Sequence, residues 1–221
     1  MLKTDAAAAQ IGSSEFYARA RARLNFDVPP GLTDASIVPV SGDAGTDKML
    51  QIIAAERPIR PAAVLIAVVE HEHPTILLTQ RAAHLNDHAG QVAFPGGKID
   101  ATDASPLDAA LREAEEEVGL DRSFVEPIGY LDLYGTAFGF RILPTVARVK
   151  PGFKLTINEN EVESAFEVPL AFLMDGAHHQ RLSVELPGGR RSFYAMPYEG
   201  YFIWGATAGM LRNLFHFLRA E

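Results

Sequence analysis

The chain has 221 residues, of which 48% are hydrophobic and 22% are charged, and its formal net charge is −8. This length and composition predict one globular domain with room for an extension. The negative charge disfavours nonspecific binding to nucleic acid, and no apolar run approaches the roughly 20 residues of a membrane helix. The absence of cysteine excludes disulfides and cysteine-ligated metals. We expect a cytoplasmic location, with no nucleic-acid or membrane partner.

The chain is predicted to divide near residue 36. Residues 1–35 are expected to form a peripheral N-terminal extension, and residues 36–221 the main domain. The extension contains a helical pattern over residues 14–24, which ends before a Pro-Pro-Gly run that a helix cannot cross. A second short helix is predicted near residues 48–56.

A hairpin is predicted next. Residues 62–70 form an apolar run with β-branched residues, as in a central strand, and a turn at His73-Pro74 leads into a second strand over residues 75–79. Residues 91–94 read as a short strand that enters a Pro-Gly-Gly turn. Backbone at such a turn can approach a ligand closely.

A helix rich in carboxylates follows the turn. Ser105 suits its N-cap, Pro106 its first turn and Gly119 its C-terminal stop. Near its end, four glutamates fall within five residues, and like charges this close repel. A divalent cation is the simplest compensation, because Mg²⁺ prefers carboxylate oxygens. The alternative is an ordinary solvated acidic face.

Helical geometry divides these glutamates into two groups. At about 100° per residue, Glu113, Glu116 and Glu117 share one side of the helix with Arg112. Glu115 falls away from them and is expected to be a solvated surface charge. The acidic face therefore points outward or into a cleft. The opposite side carries an apolar stripe for the core, made of Leu107, Leu111, Ala114 and Val118.

The remaining elements complete an α/β pattern. Residues 125–131 and 140–150 are predicted strands, and residues 161–175 are predicted to contain a short helix. Residues 182–185 and 192–196 are predicted to form a hairpin, and residues 206–220 a closing helix. Strands with helices on both faces predict an α/β/α sandwich around a central mixed sheet. Four aromatic residues are expected in its core, with an adenine-stacking platform as the alternative: Tyr134, Phe138, Phe140 and Trp204.

The glycine turn and the acidic helix together form a longer motif. From Gly97, five residues lead to Asp103, and eight more lead to an Arg-Glu-x-x-Glu-Glu-x-Gly block at residues 112–119. This arrangement resembles the Nudix box, the strand–loop–helix motif of hydrolases that cleave nucleoside diphosphates linked to another moiety. It departs from the usual pattern at Asp103, where Glu is usual, and in a spacer one residue longer. We therefore expect Asp103 to be a loop residue rather than a metal ligand.

A second motif precedes the first. A Leu-Leu-Thr-Gln-Arg-Ala run from residue 77 leads through Gly90 to a Phe-Pro-Gly-Gly turn ending at Gly97. It resembles the element that marks the coenzyme A pyrophosphatase branch of Nudix enzymes. Asn86 is the exception, since the branch pattern has Arg there, and asparagine cannot offer a charge to a phosphate group.

The resemblance implies metal-dependent attack of water on a phosphorus of a diphosphate bridge. Glu113, Glu116 and Glu117 are the predicted ligands of Mg²⁺ or Mn²⁺, and the carbonyl of Gly96 or Gly97 is a further candidate.

The other predicted roles follow from the same two motifs. Arg112 is expected to orient a glutamate. The general base is left open between Glu113 and a loop carboxylate, Glu161, because Nudix enzymes often use a glutamate in this region. For His84 and His88, a plain surface role is the alternative to substrate contact. The predicted substrate-binding residues are Arg81, His84, Gly90, Phe94, Gly96, Gly97 and Lys98.

The expected reaction is hydrolysis of CoA or an acyl-CoA to 3′,5′-ADP and (acyl-)4′-phosphopantetheine. One alternative keeps the chemistry but takes ADP-ribose, NADH or a dinucleoside polyphosphate as substrate. Another is a catalytically silent nucleotide-binding module on the same scaffold. A small-molecule nucleotide diphosphate is thus the expected partner, and a homodimer is left open.

Overall fold

The computed structural model describes residues 12–39, 41–42, 57–186 and 189–219. It confirms the predicted α/β/α sandwich, because a mixed sheet lies between helices that cover both of its faces. The helix predicted near residues 48–56 lies outside the described residues. Within the described part of the chain, no helix is both long and apolar enough to span a membrane.

The elements before the acidic helix are short, apart from one helix and one hairpin. In chain order they are α1 (Ser13–Arg23), β1 (Ser41–Gly42), β2 (Arg60–Val69), β3 (Thr75–Arg81), β4 (Val92–Ala93) and β5 (Gly96–Lys98). The predicted hairpin is confirmed, since β2 and β3 pair antiparallel.

The second half of the chain adds three helices and seven strands to the described structure. They are α2 (Pro106–Val118), β6 (Val125–Tyr130), β7 (Tyr134–Gly135), β8 (Phe140–Val149), β9 (Val162–Pro169), α3 (Leu170–Leu173), β10 (Gln180–Leu186), β11 (Gly189–Tyr198), β12 (Tyr201–Trp204) and α4 (Gly205–Arg219). The strands predicted over 125–131 and 140–150, the hairpin after residue 180 and the closing helix are therefore confirmed.

The main sheet is built around β2. Its order is β1-β7-β8-β2-β3-β4, with β5 also pairing with β2, β6 with β8, and β9 with β3. Strand β2 runs parallel to β8 and antiparallel to β3 and β5, so the sheet is mixed. A separate sheet contains β10, β11 and β12 in that order.

Strand β2 separates two hydrophobic cores. Its residues Ile66 and Val68 lie in the core that includes α1 and α4, whereas Leu65 and Ala67 lie in the core beneath α2. Because successive side chains of a strand point to opposite faces, a strand covered on both faces is apolar throughout. This explains the apolar run and places the acidic helix on one face of the sheet.

Two predictions from the sequence need correction. The N-terminal helix exists but is not peripheral, since Phe16 and Ala20 are fully buried in the α1/α4 core. The division of the chain at residue 36 stays a prediction. The short helix predicted within residues 161–175 is confirmed as α3, and the structure adds strand β9 before it, which pairs with β3.

The aromatic residues are the second correction. Tyr134 is buried, as expected, but Phe138 is 54% exposed and Trp204 is 37% exposed. Phe138 lies in the loop before β8, and Trp204 lies on the outer face of the small sheet, so neither element turns its ring toward a core.

Candidate active site

Helix α2 begins and ends at the residues predicted for it. The backbone N–H of Asp108 donates to Ser105 Oγ at 3.1 Å, and Gly119 adopts the left-handed conformation with φ 67°. Ala114 and Val118 are buried in the core beneath the helix. These contacts determine the rotation of α2 about its axis, and that rotation turns the acidic side toward β5.

Strand β5 lies directly against the acidic side of α2. The Gly96 N–H donates to Glu117 Oε2 at 3.1 Å. At Gly97, an added Cβ would lie 2.5 Å from the carboxylate carbon of Glu113, closer than any side chain tolerates. Gly97 therefore leaves the space that the Glu113 carboxylate fills, whereas a Cβ at Gly96 would meet the β2 backbone at Ala63 and Val64.

Glu117 points inward, which is one of the two orientations left open for the acidic face. It is only 3% exposed, and its Oε1 lies 3.9 Å from Arg81 Nη1. Burial raises the pKa of Glu117 to about 8, and the neighbouring charges of Glu113 and Glu161 act in the same direction. The Gly96 N–H and Arg81 oppose the shift without cancelling it.

Glu113 shares this environment. Burial is the main cause that raises the pKa of Glu113, the charges of Glu116 and Glu161 add to it, and the hydrogen bond from Arg112 opposes it. Glu161 thus acts on both buried carboxylates of α2. The structure brings the predicted loop acid into the electrostatic environment of the predicted metal ligands.

Arg112 joins the acidic side of α2 to the loop before it. Its Nε and Nη2 donate to the two carboxylate oxygens of Asp103 at 2.9 and 3.0 Å. Its Nη1 donates to Glu113 at 2.9 Å and to Glu116 at 3.0 Å, and Nη2 also reaches the Lys98 carbonyl at 3.2 Å. Arg112 therefore orients two glutamates, as predicted.

Asp103 is the residue that holds Arg112 in place. It lies in the loop between β5 and α2, as expected, and the paired hydrogen bonds from Arg112 hold the pKa of Asp103 below its usual range. A fork-on-fork pair of this kind orients the guanidinium as well as binding it. In the sequence, Asp103 was marked only by its position in the Nudix-like motif, where Glu is usual.

The two remaining glutamates of the block are exposed. The Glu116 side chain is 56% exposed and touches Arg112, whereas the equally exposed Glu115 side chain contacts Arg122 at 3.2 Å. Glu115 is thus the surface charge that helical geometry predicted. Its contact with Arg122 distinguishes Glu115 from Glu113, Glu116 and Glu117.

Two loops meet at the C-terminal end of α2 and β3. The Asn158 N–H donates to the Glu117 carbonyl at 2.9 Å, so the loop before β9 is tied to the helix. The Ala82 N–H donates to the Glu161 carbonyl at 3.0 Å, and the His84 ring is hydrogen-bonded to the Asn160 carbonyl at 3.2 Å. The segment that resembles the CoA element therefore borders the loop that carries Glu161.

Asn158 is a candidate site residue that sequence reasoning missed. Besides its backbone bond to the helix, its Nδ2 donates to Glu161 Oε1 at 3.3 Å. It therefore orients the carboxylate of Glu161. Only an Asn-Glu-Asn-Glu run marks the position in the sequence, and that run gives no indication of which side chains converge.

The other predicted substrate-binding residues fall into different environments. Arg81 Nε is buried and has no hydrogen-bond partner among the described residues. Gly90 adopts φ 68°, and its N–H donates to the Arg81 carbonyl at 3.1 Å, which closes the loop between them. Lys98 is exposed. Phe94 is 2% exposed in the α1/α4 core, so its side chain supports the turn and does not face the cleft.

The chemistry of the donors fits a hard divalent cation. The buried Glu117 and the partly buried Glu113 both have raised pKa values, each in part because of nearby carboxylates, and a cation would relieve this repulsion. Across the described residues, no three acidic or histidine side chains are already grouped closely enough to hold a metal. Glu116, the third predicted ligand, is paired with Arg112 at 3.0 Å and its side chain is 56% exposed. Its role as a metal ligand stays a prediction.

Comparison with known proteins identifies the family. The NUDIX domain model matches residues 58–186. The chain is 47% identical over 155 residues to an uncharacterized Nudix hydrolase, NudL, of Salmonella paratyphi B, and 46% identical over the same length to the NudL of Escherichia coli. Each alignment covers 70% of this chain and 81% of the relative.

Among solved structures, the MutT protein from Methanosarcina mazei Go1 is similar with a TM-score of 0.46 at 19% identity, over 74% of this chain and 96% of that one. The family model spans more than half of the 221 residues, and it includes β5, α2 and the loop of Glu161. The chain therefore belongs to the Nudix family.

Proposed function

We propose that this Nudix protein hydrolyses the diphosphate bridge of CoA or an acyl-CoA, releasing 3′,5′-ADP and (acyl-)4′-phosphopantetheine. The observation that carries the proposal is the meeting of two sequence motifs in space. Arg81 of the element at residues 77–97 lies 3.9 Å from Glu117 of the acidic helix. This contact brings the element that resembles a CoA signature close to the Glu117 carboxylate.

Glu113, Glu116 and Glu117 would hold Mg²⁺ or Mn²⁺ in this proposal, with the carbonyl of Gly97 or Gly96 as a further ligand. Such ions neutralise charge on a diphosphate and lower the pKa of a bound water. The protein's own contribution is to hold two carboxylates close together in a buried place, which the contacts of Gly96 and Arg112 achieve.

Arg81 and Lys98 supply positive charge to the substrate. A chain with a net charge of −8 repels a free diphosphate, so local cations must offset this repulsion. Arg81 suits the task because its buried Nε has no hydrogen-bond partner in the described structure and its Nη1 lies 3.9 Å from Glu117. Arg112 is less available, because its donors are occupied by carboxylates and the Lys98 carbonyl.

Glu161 is the proposed base that accepts the proton of the attacking water. Its loop is hydrogen-bonded to both β3 and α2, and Asn158 orients its carboxylate. Glu113 is the alternative, but it already accepts a hydrogen bond from Arg112 at 2.9 Å. Glu161→Gln should lower kcat about 10²–10⁴-fold, whereas Glu159→Gln, at an exposed position in the same loop, should not. Equal activities would reject Glu161 as the base.

The decisive experiment is a substrate panel with Mg²⁺ and with Mn²⁺. CoA, acetyl-CoA, ADP-ribose, NADH and diadenosine tetraphosphate are each incubated with the protein, and products are separated by chromatography. CoA or acetyl-CoA should show the highest kcat/KM. Turnover of another substrate with no cleavage of CoA would reject the CoA assignment. Binding without turnover of any compound would favour the silent module.

Asn86 supports the second candidate, a Nudix pyrophosphatase for ADP-ribose, NADH or a dinucleoside polyphosphate. It is exposed in the loop between Arg81 and Gly90, where the CoA element has an arginine. If that position contacts the nucleotide, Asn86→Arg should lower the KM for CoA and leave the KM for ADP-ribose unchanged. An unchanged KM for both would remove this position from substrate recognition.

A further inference from the structure

Strand β10 presents an open edge. It pairs with β11 over seven residue pairs, from Gln180 to Leu186, without a register shift. In the described structure, β11 is its only strand partner. Proteins protect such edges with prolines, bulges or charges that repel a second strand. The edge of β10 contains neither a proline nor a bulge, so its charges decide what can pair with it.

The side chains of β10 form one polar and one apolar face. Arg181, Ser183 and Glu185 alternate with Leu182 and Val184. The apolar face continues into β11 and β12, where Phe193 opposes Leu182 and its ring lies 5.5 Å from that of Trp204. Val184 is 42% exposed and Trp204 is 37% exposed. An exposed apolar sheet face of this kind marks an interaction surface.

We propose that β10 pairs antiparallel with β10 of a second copy of this chain, about a two-fold axis at Ser183. In this register Arg181 of each copy lies opposite Glu185 of the other, and Leu182 lies opposite Val184. Opposite charges and apolar pairs directly across two strands both stabilise a sheet. The contact is isologous, which means that both copies use the same strand, and each cross-strand pair occurs twice about the axis.

Other registers of the same two strands lack this complementarity. Parallel pairing in register places Arg181 opposite Arg181 and Glu185 opposite Glu185, and like charges directly across a sheet destabilise it. An antiparallel slide by one residue places each charge opposite an uncharged residue, and a slide by two residues places one charge opposite Ser183 and the other beyond the strand. The antiparallel register about Ser183 is thus the one that neutralises both charges.

Both charges are available for this contact. Arg181 lies on an exposed strand and forms no ion pair with another described residue. Glu185 has Arg190 at 3.9 Å, but their side chains are 78% and 71% exposed, so this pair contributes little. Pairing would join the two small sheets into one six-stranded sheet.

A cysteine crosslink tests the register directly, because the chain contains no cysteine of its own. Directly opposed residues of an antiparallel pair have Cα atoms about 4.5–5.5 Å apart, within the range of a disulfide. Ser183→Cys should therefore form a disulfide-linked dimer on oxidation. Ser192→Cys is the matched control, because Ser192 pairs with Ser183 but lies one strand further from the axis. Its two copies would be about 14 Å apart, too far for a disulfide.

Charge reversal supplies a second test, read by sedimentation velocity. Arg181→Glu places carboxylates opposite carboxylates and Glu185→Arg places guanidinium groups opposite each other, so each variant alone should be monomeric. Mixed in equal amounts, the two variants should form a heterodimer, because both cross-strand pairs are then oppositely charged. Arg181→Lys keeps the charge and should dimerise like the unaltered chain.

Two results would overturn the proposal. One is an unaltered chain that stays monomeric at about 100 μM. The other is a dimer that forms regardless of charge reversal, or that crosslinks equally through Ser183→Cys and Ser192→Cys. Neither readout involves hydrolysis, so these results are independent of the proposed substrate.

Discussion

The Glu113 carboxylate occupies the volume that a side chain at Gly97 would fill. A Cβ built on Gly97 lies 2.5 Å from the carboxylate carbon, and the two residues belong to different elements, β5 and α2. Residue 97 must therefore be a glycine for the Glu113 carboxylate to keep this position. This contact brings the carbonyl-bearing backbone of β5 against the face that carries the proposed metal ligands.

Gly97→Ala should displace Glu113 and lower kcat/KM about 10²-fold, since a misplacement of 1 Å has an effect of this size. The measurement is steady-state hydrolysis of the best substrate, with thermal unfolding as a check on folding. Gly12→Ala is the matched control, because a Cβ at Gly12 meets nothing within 4 Å. Full activity of Gly97→Ala would show that Glu113 does not need its present position.

The metal-free protein should become less stable as pH rises toward 8. Burial raises the pKa of Glu117 to about 8 from a usual value of 4.5, so the folded state holds this proton more tightly than the unfolded chain. The stabilisation is complete below pH 4.5 and is lost as pH rises through about 8. Thermal unfolding with a chelator, from pH 5 to 9, should show the decline, and Glu117→Gln should flatten it.

Stabilisation by Mg²⁺ should follow the opposite trend. A cation competes with the proton on Glu117, so the increase in melting temperature on adding Mg²⁺ should grow as pH rises through about 8. Glu115→Gln is the control, because Glu115 contacts Arg122 at the surface. An increase that is the same for unaltered protein and Glu117→Gln would remove Glu117 from the proposed ligands.

Asp103→Asn should lower activity about 10–100-fold without unfolding the protein. The variant weakens both hydrogen bonds that Arg112 donates to Asp103, and Arg112 in turn orients Glu113 and Glu116. Asp100→Asn serves as the comparison, because Asp100 lies 3.8 Å from Arg112 and its side chain is 65% exposed. Similar kcat/KM values for the two variants would contradict the assigned role of Asp103.

His179 should make stability sensitive to acid. Its Nε2 donates to the Leu173 carbonyl at 2.8 Å, and Nδ1 accepts from Arg212 at 3.0 Å, which requires the neutral ring. Burial is the main cause that lowers the pKa of His179 below 6.5. The stabilisation is therefore complete above pH 6.5 and is lost as pH falls through the depressed pKa.

His179→Gln should lower the free energy of unfolding by about 1–3 kcal/mol at pH 8, because buried polar partners lose their bonds. It should also reduce the loss of stability between pH 7 and pH 5. Urea unfolding at several pH values gives both quantities. His73→Gln, in the exposed turn between β2 and β3, should keep the acid sensitivity. An unchanged dependence of stability on pH in His179→Gln would contradict the role assigned to His179.

Local patterns predicted much of the architecture. The caps at Ser105 and Gly119 were predictable because they depend on single residues and the helix between them. Strand β2 was predictable because it is covered on both faces. Strand β9 was missed because Glu163 and Glu167 interrupt its apolar pattern. Its pairing with β3 joins segments that are distant in the chain, which local patterns do not reveal. Phe94 was predicted to bind substrate because it belongs to the motif that resembles the CoA element. Its side chain is instead buried in the core.

By itself, the sequence determined which carboxylates share a side of the acidic helix, because spacing along one helix decides this. The separation of Glu115 from Glu113, Glu116 and Glu117 followed from that geometry alone. Only the tertiary structure decided that Glu117 is buried against Gly96, that Asp103 holds Arg112, and that the Glu161 loop is tied to α2. These contacts join residues distant in the chain, and burial, which sets the pKa of Glu117, depends on everything packed around it.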